Sequence, residues 1–281
     1  MALSEVDTRA DVRATLNYLI RTAEKPYAYT YEPPPGKPAR SGKVNTVDNI
    51  VIRDARPIAG ELSLFAEGFE LRPHPTAVED FYDESQVKQI YYPEIERLLV
   101  EATGAEKIVI FDHTIRSVPK FKEGVSGYRE PVRRVHNDYT AKSGLRRVRD
   151  HLSEEEANER LKHRFLEVNV WRPIKGPLED APLAVCDART IASEDLIATD
   201  LIYPNLVGET YSVSYNPAHR WYFFPKMKRD EAVLIKCFDS DETSNGRFTA
   251  HTAFDDPTTP PDALPRESIE VRALVFLPAV R

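Results

Sequence analysis

Proline outnumbers glycine two to one in this chain, 22 residues against 11, and the prolines fall between short apolar runs. That arrangement limits the fold. Proline disrupts helix interiors and central strands but fits the ordered loops that join strands. From residue 165 onward the apolar runs recur as strand candidates: Phe165–Trp171, Leu183–Asp187, Thr210–Tyr215, Trp221–Phe224, Ala232–Phe238, Arg247–Phe254 and Ser268–Leu277. Such spacing predicts an all-β sandwich or barrel. Pro217, Pro225, Pro257 and Pro265 punctuate the last of these segments.

The N-terminal half is mixed. Val12, Leu16, Leu19 and Ile20 stand at helical spacing and predict a short amphipathic helix over 7–23. Residues 26–45, rich in Pro, Gly and Lys, read as a loop or arm. Two extended runs follow, Asn49–Asp54 and Leu62–Phe69. Residues 84–103 form the clearest helix, with Val87, Ile90, Ile95, Leu98 and Leu99 on one stripe and a stop at Gly104. Lys107–Asp112 is a buried strand leading into His113, and 141–164 is charged and helical in two pieces, with Ser153 and Glu156 at capping-box spacing. The expectation is one domain over 1–281, mainly β with flanking helices (α+β), with 1–48 packed on it as an N-terminal helix and arm.

Composition excludes several functions. A formal charge of −7 argues against sequence-independent nucleic-acid binding, which needs a basic face. Two cysteines, Cys186 and Cys237, are too few for a disulfide scaffold and form no zinc-finger pair; both sit in apolar runs as buried thiols. No run approaches the roughly 20 apolar residues of a spanning helix, and the N-terminus lacks a signal-peptide pattern. A soluble cytoplasmic protein is expected, with the choice between monomer and homodimer open.

The seven histidines sort by context. His74, His151 and His163 lie in polar surroundings that predict solvated surface positions. His113 ends a buried strand, where a hydrogen-bonded structural role is expected, and His219 begins a strand among aromatics as a core residue. His136 differs because Asp138 stands two positions on, in VHNDYT. On an extended segment residues i and i+2 point to the same side. An imidazole and a carboxylate so placed can take two adjacent corners of a metal, and a distant histidine would complete a 2-His-1-carboxylate triad. HxD alone is a pattern that chance often produces. His251, in RFTAHTAF and 115 residues downstream, is the candidate third ligand.

The C-terminal strand adds a second signal. In RESIEVRALVF, Arg266, Ser268, Glu270 and Arg272 share one face, and Ile269, Val271, Ala273 and Val275 share the other. The apolar face is the packed one. The opposite face needs water or an anion, and a dicarboxylate would match an arginine fork with a serine hydroxyl beside it. The plainer alternative is a solvated face balanced by Glu270. Along Asn169–Arg172 parity puts Asn169 and Trp171 on one side and Val170 and Arg172 on the other, so either Trp171 or Arg172 can face a cavity. Tyr139 points away from the metal side on a regular strand, and Asp239 reads as a turn former.

The blocks FDHTIR, VHNDYT, NVWRPIKGPLEDAPLAVCDA, HRWYFFPKMKRDEAVLIKCFDS, RFTAHTAF and PRESIEVRALVF resemble the hydroxylase/desaturase family that includes AsaB, CmcJ-like proteins and a gibberellin desaturase. The resemblance runs from about residue 50 to the C-terminus. It implies a double-stranded β-helix (jelly-roll, cupin-like) core. It also implies oxidation of a small metabolite, dependent on Fe(II), 2-oxoglutarate and O2, in a secondary-metabolite pathway: hydroxylation, desaturation or oxidative cyclisation. Carried onto this chain, it makes His136, Asp138 and His251 the metal ligands and matches Arg266 and Ser268 to the cosubstrate signature. The His-to-Arg spacing is longer than in many relatives, which keeps Arg272 a rival anchor. Trp171, Arg172 and Arg134 are candidate substrate contacts; Arg116 and Arg133 lie near them, and loops 117–132 and 193–209 would set specificity. Two other classes share the ligand pattern: a non-catalytic jelly-roll binding protein and a zinc hydrolase. Neither needs a dicarboxylate anchor.

Overall fold

The computed structural model describes residues 10–125 and 127–279. Fourteen strands in the described residues form two sheets. The larger runs in the order β1 (Val12–Leu19), β3 (Val44–Asp54), β11 (Trp221–Phe223), β8 (Leu183–Cys186), β13 (His251–Ala253), β6 (His136–Asn137), β10 (Val207–Val213), β9 (Leu196–Ile202) and β2 (Tyr27–Tyr29). The smaller runs β4 (Phe69–Pro73), β12 (Glu231–Asp239), β7 (Phe165–Pro173), β14 (Glu267–Phe276) and β5 (Lys107–Ser117). The sheets pack face to face as a jelly-roll sandwich, mainly β with flanking helices.

Side-chain alternation sorts the core into three layers. On β7, Phe165 and Trp171 enter the layer between the sheets, while Leu166, Val168 and Val170 turn to the opposite face. There they meet α2 (Tyr92–Thr103) through Ile95, Leu98 and Leu99. Strand β14 does the same: Leu274 and Phe276 face the interior, and Ile269, Val271, Ala273 and Val275 face the helix. The third layer lies on the outer face of the larger sheet, where Val12, Leu16 and Tyr18 pack on Val135, Cys186 and Trp221. No helix among the described residues is long and apolar enough to cross a membrane.

The expected helix at 84–103 is present as α1 (Glu84–Gln86), a π-turn over Val87–Tyr91, and α2, closed by Gly104 in the left-handed region at φ 67°. Helices α4 (Ala141–His151) and α5 (Glu154–Arg160) follow α3 (Val118–Lys122), and the Ser153 side chain accepts from Glu156 N, as its spacing predicts.

Three expectations are corrected. Residues 12–19 are a strand, not a helix, because VRATLNYL also alternates at period two; Val12, Ala14, Leu16 and Tyr18 are buried against β3. (Residues 7–9 of that expectation lie outside the described residues.) The arm at 26–45 contributes a strand, β2, paired in parallel with β9. Leu62–Phe69 is turn up to Gly68, whose φ of 88° and contact with Thr249 leave no room for a side chain; the strand begins at Phe69.

A buried ion pair ties β12 to its exit turn. Lys236 Nζ and Asp239 Oδ2 lie 3.3 Å apart, both fully buried, and Asp239 also accepts from Arg164 at 2.7 Å and from Asp241 N at 3.1 Å. Removing one partner strands the other charge in the interior. Asp239→Ala is expected to cost about 3 kcal/mol, read as a lower urea midpoint with an unchanged slope.

Candidate metal centre

Two very short strands position the centre. His136 on β6 stands directly opposite His251 on β13 in antiparallel register, and the two rings lie 4.4 Å apart between centroids. Asp138 follows two residues after His136 on the same side, with Oδ1 3.5 Å from His136 Nε2. Between them Asn137 points the other way and donates to the carbonyls of Tyr139 (2.6 Å) and Cys237 (2.9 Å). That anchors the segment to β12 and holds the HxD geometry. One ligand atom from each of His136, Asp138 and His251 falls within 4.8 Å of the others.

The hydrogen bonds prepare these side chains for a cation. His136 Nδ1 meets the Arg134 carbonyl at 2.8 Å, and His251 Nδ1 meets the Thr249 carbonyl at 3.3 Å. A carbonyl only accepts, so each Nδ1 carries the hydrogen and each Nε2 offers its lone pair to the shared space. Burial, with His251 beside it, pulls the His136 pKa down to about 4, so the ring is neutral. Burial opposes the Asp138 charge. His251, His136, Arg272 and a 2.7 Å hydrogen bond from Asn169 outweigh it and hold the carboxyl below its ordinary range. Two imidazoles and one carboxylate on one side of a metal, with the other side free, are the donor set of non-haem iron oxygenases.

Two cavities meet at this centre. One is lined by His136, His251, Trp171, Arg116, Arg266 and Glu270. Arg266 is 3% exposed; its Nε donates to Ser268 Oγ at 3.1 Å, its Nη1 to the Ala181 carbonyl at 2.8 Å, and its plane lies over the Trp171 ring at 4.9 Å. It forms no ion pair among the described residues, and burial with Arg116 nearby brings its pKa down to about 9. A desolvated guanidinium without a carboxylate is costly unless an anion joins it. The Trp171 Nε1–H is buried there with no hydrogen-bond partner among the described residues. The recess therefore suits a carboxylate.

The other cavity opens on the Asp138 side, between α4 and the β9–β10 hairpin. Tyr139 and Arg272 line it with Arg147, Tyr203 and Leu206. Arg272 also faces inward, but its Nε donates to Asp112 Oδ1 at 2.6 Å and its Nη2 to Thr114 Oγ1 at 3.0 Å. Its charge is already matched.

Not every candidate converges. Arg172 projects to the helix side of β7, where it lies over Phe81 and Tyr91 and donates to the His74 carbonyl at 2.7 Å. His74 is thereby half-buried and not solvated, and its pKa is lowered by burial first and then by Arg172. Arg134 contributes its backbone carbonyl to His136, and Arg133 pairs with Asp255 at 2.9 Å. Tyr139 does leave the metal side, yet it lines the second cavity. Asn169 was visible in the sequence only as the strand neighbour of Trp171; its partnership with Asp138 needed the tertiary pairing.

A jelly roll with this donor set defines the class of 2-His-1-carboxylate metal enzymes. The oxidoreductase/YMDC permease-like domain family matches residues 16–276. The hydroxylase/desaturase efuI of Hormonema carpetanum is 34% identical over 256 residues, covering 83% of this chain and 85% of that protein. The Fe(II)/2-oxoglutarate-dependent dioxygenase nvfI of Aspergillus novofumigatus is 34% identical over 262 residues, 91% of this chain and 92% of its own length. A solved structure of the iron and alpha-ketoglutarate-dependent endoperoxidase NvfI matches with a TM-score of 0.86 and 29% identity, over 95% of this chain and 98% of that one. The chain belongs to this oxidoreductase family of hydroxylase/desaturases and Fe(II)/2-oxoglutarate-dependent dioxygenases.

The Asn169 contact is testable through the metal alone. Asn169→Ala frees Asp138 Oδ2, and Fe(II) or Mn(II) affinity is expected to fall roughly 10- to 100-fold, measured by equilibrium dialysis with elemental analysis. Unchanged affinity would remove Asp138 from the ligand set.

Proposed function

We propose that this chain, acting as one domain in the cytoplasm, oxidises a small metabolite of a fungal-type biosynthetic pathway. In this reading His136, Asp138 and His251 hold Fe(II), and Arg266 with Ser268 fixes the far carboxylate of 2-oxoglutarate. The observation that carries it is the buried, unpaired Arg266 guanidinium in the same cavity as the two histidines. Fe(II) with 2-oxoglutarate and O2 supplies the oxidising power, as the cosubstrate is decarboxylated to succinate and CO2 while a C–H bond is oxidised.

The chain's own residues do the positioning. The Arg134 and Thr249 carbonyls hold both imidazoles in the ligating tautomer. Asn169 turns the Asp138 carboxylate so that one oxygen remains free. Trp171 walls the recess beneath Arg266, adds an indole N–H, and excludes water from the carboxylate. Substrate enters through the cavity on the Asp138 side, lined in part by residues 200–209 and by α4. Whether hydroxylation, desaturation or ring closure follows depends on which C–H bond that cavity presents. A zinc hydrolase would use the same three ligands, but nothing in hydrolysis calls for a desolvated arginine recess next to them.

Loss of the charge-assisted contact predicts that Arg266→Ala raises the apparent KM for 2-oxoglutarate roughly 10- to 100-fold with iron content unchanged. Arg272→Ala should leave that KM near the wild-type value, because its partner is Asp112. Succinate release is the readout. The reverse pattern moves the anchor to Arg272, and succinate formation that survives His136→Ala overturns the iron assignment.

A further inference from the structure

Behind the metal strand, on the outer face of the larger sheet, lies a polar aromatic group used by neither cavity. Tyr18 and Trp221 are fully buried, and Trp221 Nε1 donates to the Tyr18 hydroxyl at 2.8 Å. His219 stacks on the Tyr18 ring, with centroids 5.8 Å apart and planes 19° from parallel. Its Nδ1 lies 3.4 Å from the same hydroxyl, and its Nε2 faces Asp195 Oδ2 at 3.1 Å. The Asp195 carboxylate is held in turn by Asn216 Nδ2 at 3.1 Å and by Ala192 N at 2.9 Å.

The protons in this group follow from donor chemistry. Asp195 accepts, so Nε2 carries the imidazole hydrogen and Nδ1 presents a lone pair. The Tyr18 oxygen accepts from Trp221, which leaves its O–H to point at that lone pair. Burial outweighs Asp195 and lowers the His219 pKa, which favours the neutral ring with its Nδ1 lone pair facing the Tyr18 hydroxyl. Tyr215, 39% exposed, stands edge-on to Tyr18 at 5.3 Å and leads to solvent.

The group is also wired to the metal strand. The Asn17 carbonyl accepts the Val135 N–H at 2.8 Å. Tyr18 adjoins the first of these residues and His136 adjoins the second. From the other side, Val185 pairs with both His251 and Tyr222, so β13 and β11 are two strand spacings apart, about 10 Å.

We propose that Tyr18, with His219 and Asp195, is a protective electron relay that reduces the metal centre when O2 and 2-oxoglutarate react there with no substrate C–H bond in reach. The relay rests on the oxygenase reading given above. One electron passes from Tyr18 to the oxidised centre, the phenolic O–H bond breaks, and its proton moves to His219 Nδ1. A neutral tyrosyl radical remains, and the new imidazolium faces the Asp195 carboxylate. With iron bound, two such electrons and two protons from water would offset the two oxidising equivalents that 2-oxoglutarate and O2 leave there, giving one water and Fe(II). A surface reductant of the ascorbate class restores Tyr18 through Tyr215 after each transfer, and His219 gives the proton back each time. Trp221 orients the hydroxyl; Tyr18 is the group oxidised.

The test is rapid-freeze electron paramagnetic resonance on Fe(II)-loaded enzyme mixed with 2-oxoglutarate and O2 and no substrate. A tyrosyl signal, altered by ring-deuterated tyrosine, is expected in the wild type and absent in Tyr18→Phe. Peptide mass spectrometry of Tyr18→Phe should show more oxygen addition near the metal after the same turnover. Should Tyr18→Phe fold poorly, His219→Gln, which keeps the tyrosine, is expected to lower the radical yield several-fold, and Tyr215→Phe to slow its quenching by ascorbate. Succinate release without a tyrosyl signal, or a signal unchanged by Tyr18→Phe or His219→Gln, overturns the relay. Absence of succinate in the wild type overturns instead the oxygenase reading beneath it.

Discussion

One cross-strand pair governs the centre of this molecule: His136 opposite His251, each on a strand of two or three residues. Strands that short contribute little pairing of their own. They are held because β8 and β10 flank them on either side and because Asn137 bolts the HxD segment to β12. The same backbone that pairs the strands also fixes the imidazole tautomers, since each Nδ1 bonds to a carbonyl two residues back along its own chain. Ring direction and tautomer are thus set by main chain, which a side-chain substitution nearby alters least.

The polar interior follows from that arrangement. Between the sheets, β7 and β14 present Glu167, Asn169, Glu270 and Arg272 where a plain sandwich would present leucine or valine. Burial raises the carboxyl pKa of Glu167 well above its usual value and that of Glu270 in the same direction, with the Asp138 charge adding to both. Each shift toward the neutral acid lessens repulsion with the Asp138 carboxylate. Among the described residues Glu167 has no partner for either oxygen, and neither the Tyr139 hydroxyl nor Asn169 Oδ1 has one. Each such group costs about 1–3 kcal/mol, an expense seldom found in a core that serves stability alone.

Strand parity explains what could be seen in the sequence beforehand. The period of two is a strict rule, so the shared face of Arg266, Ser268, Glu270 and Arg272 and the same-side placement of His136 and Asp138 were legible from spacing. The rule also narrowed β7 to two options, and register with β14 decides between them: Trp171 lies opposite Glu270 on the inner face and sends Arg172 outward. It misled at the N-terminus. Val12, Leu16 and Leu19 fit a helical period while Val12, Ala14, Leu16 and Tyr18 fit a strand, and only pairing with β3 separates the two. Strand β9 passed unseen because residues 196–202 alternate weakly, with Thr199 and Asp200 at its middle. Only part of the second cavity was legible, the 193–209 segment and Arg272; α4, which forms another wall, lies far from both in sequence.

The two cavities divide the work by charge. In the recess of the two histidines, Arg266 has no carboxylate of its own, so an anion can bind without displacing an existing pair. On the Asp138 side, Lys25 pairs with Asp200 and Glu209, and Arg272 pairs with Asp112. A dianion entering there would have to compete with carboxylates already in place, and it would meet the Asp138 charge as well. The balance of charge therefore favours an anion in the Arg266 recess, while the cavity on the Asp138 side combines charged side chains with an apolar lip of Tyr203, Leu206 and Val207. In the proposed reading, specificity would then lie in the hairpin that carries those three residues, whose strand β10 pairs directly with the His136 strand β6.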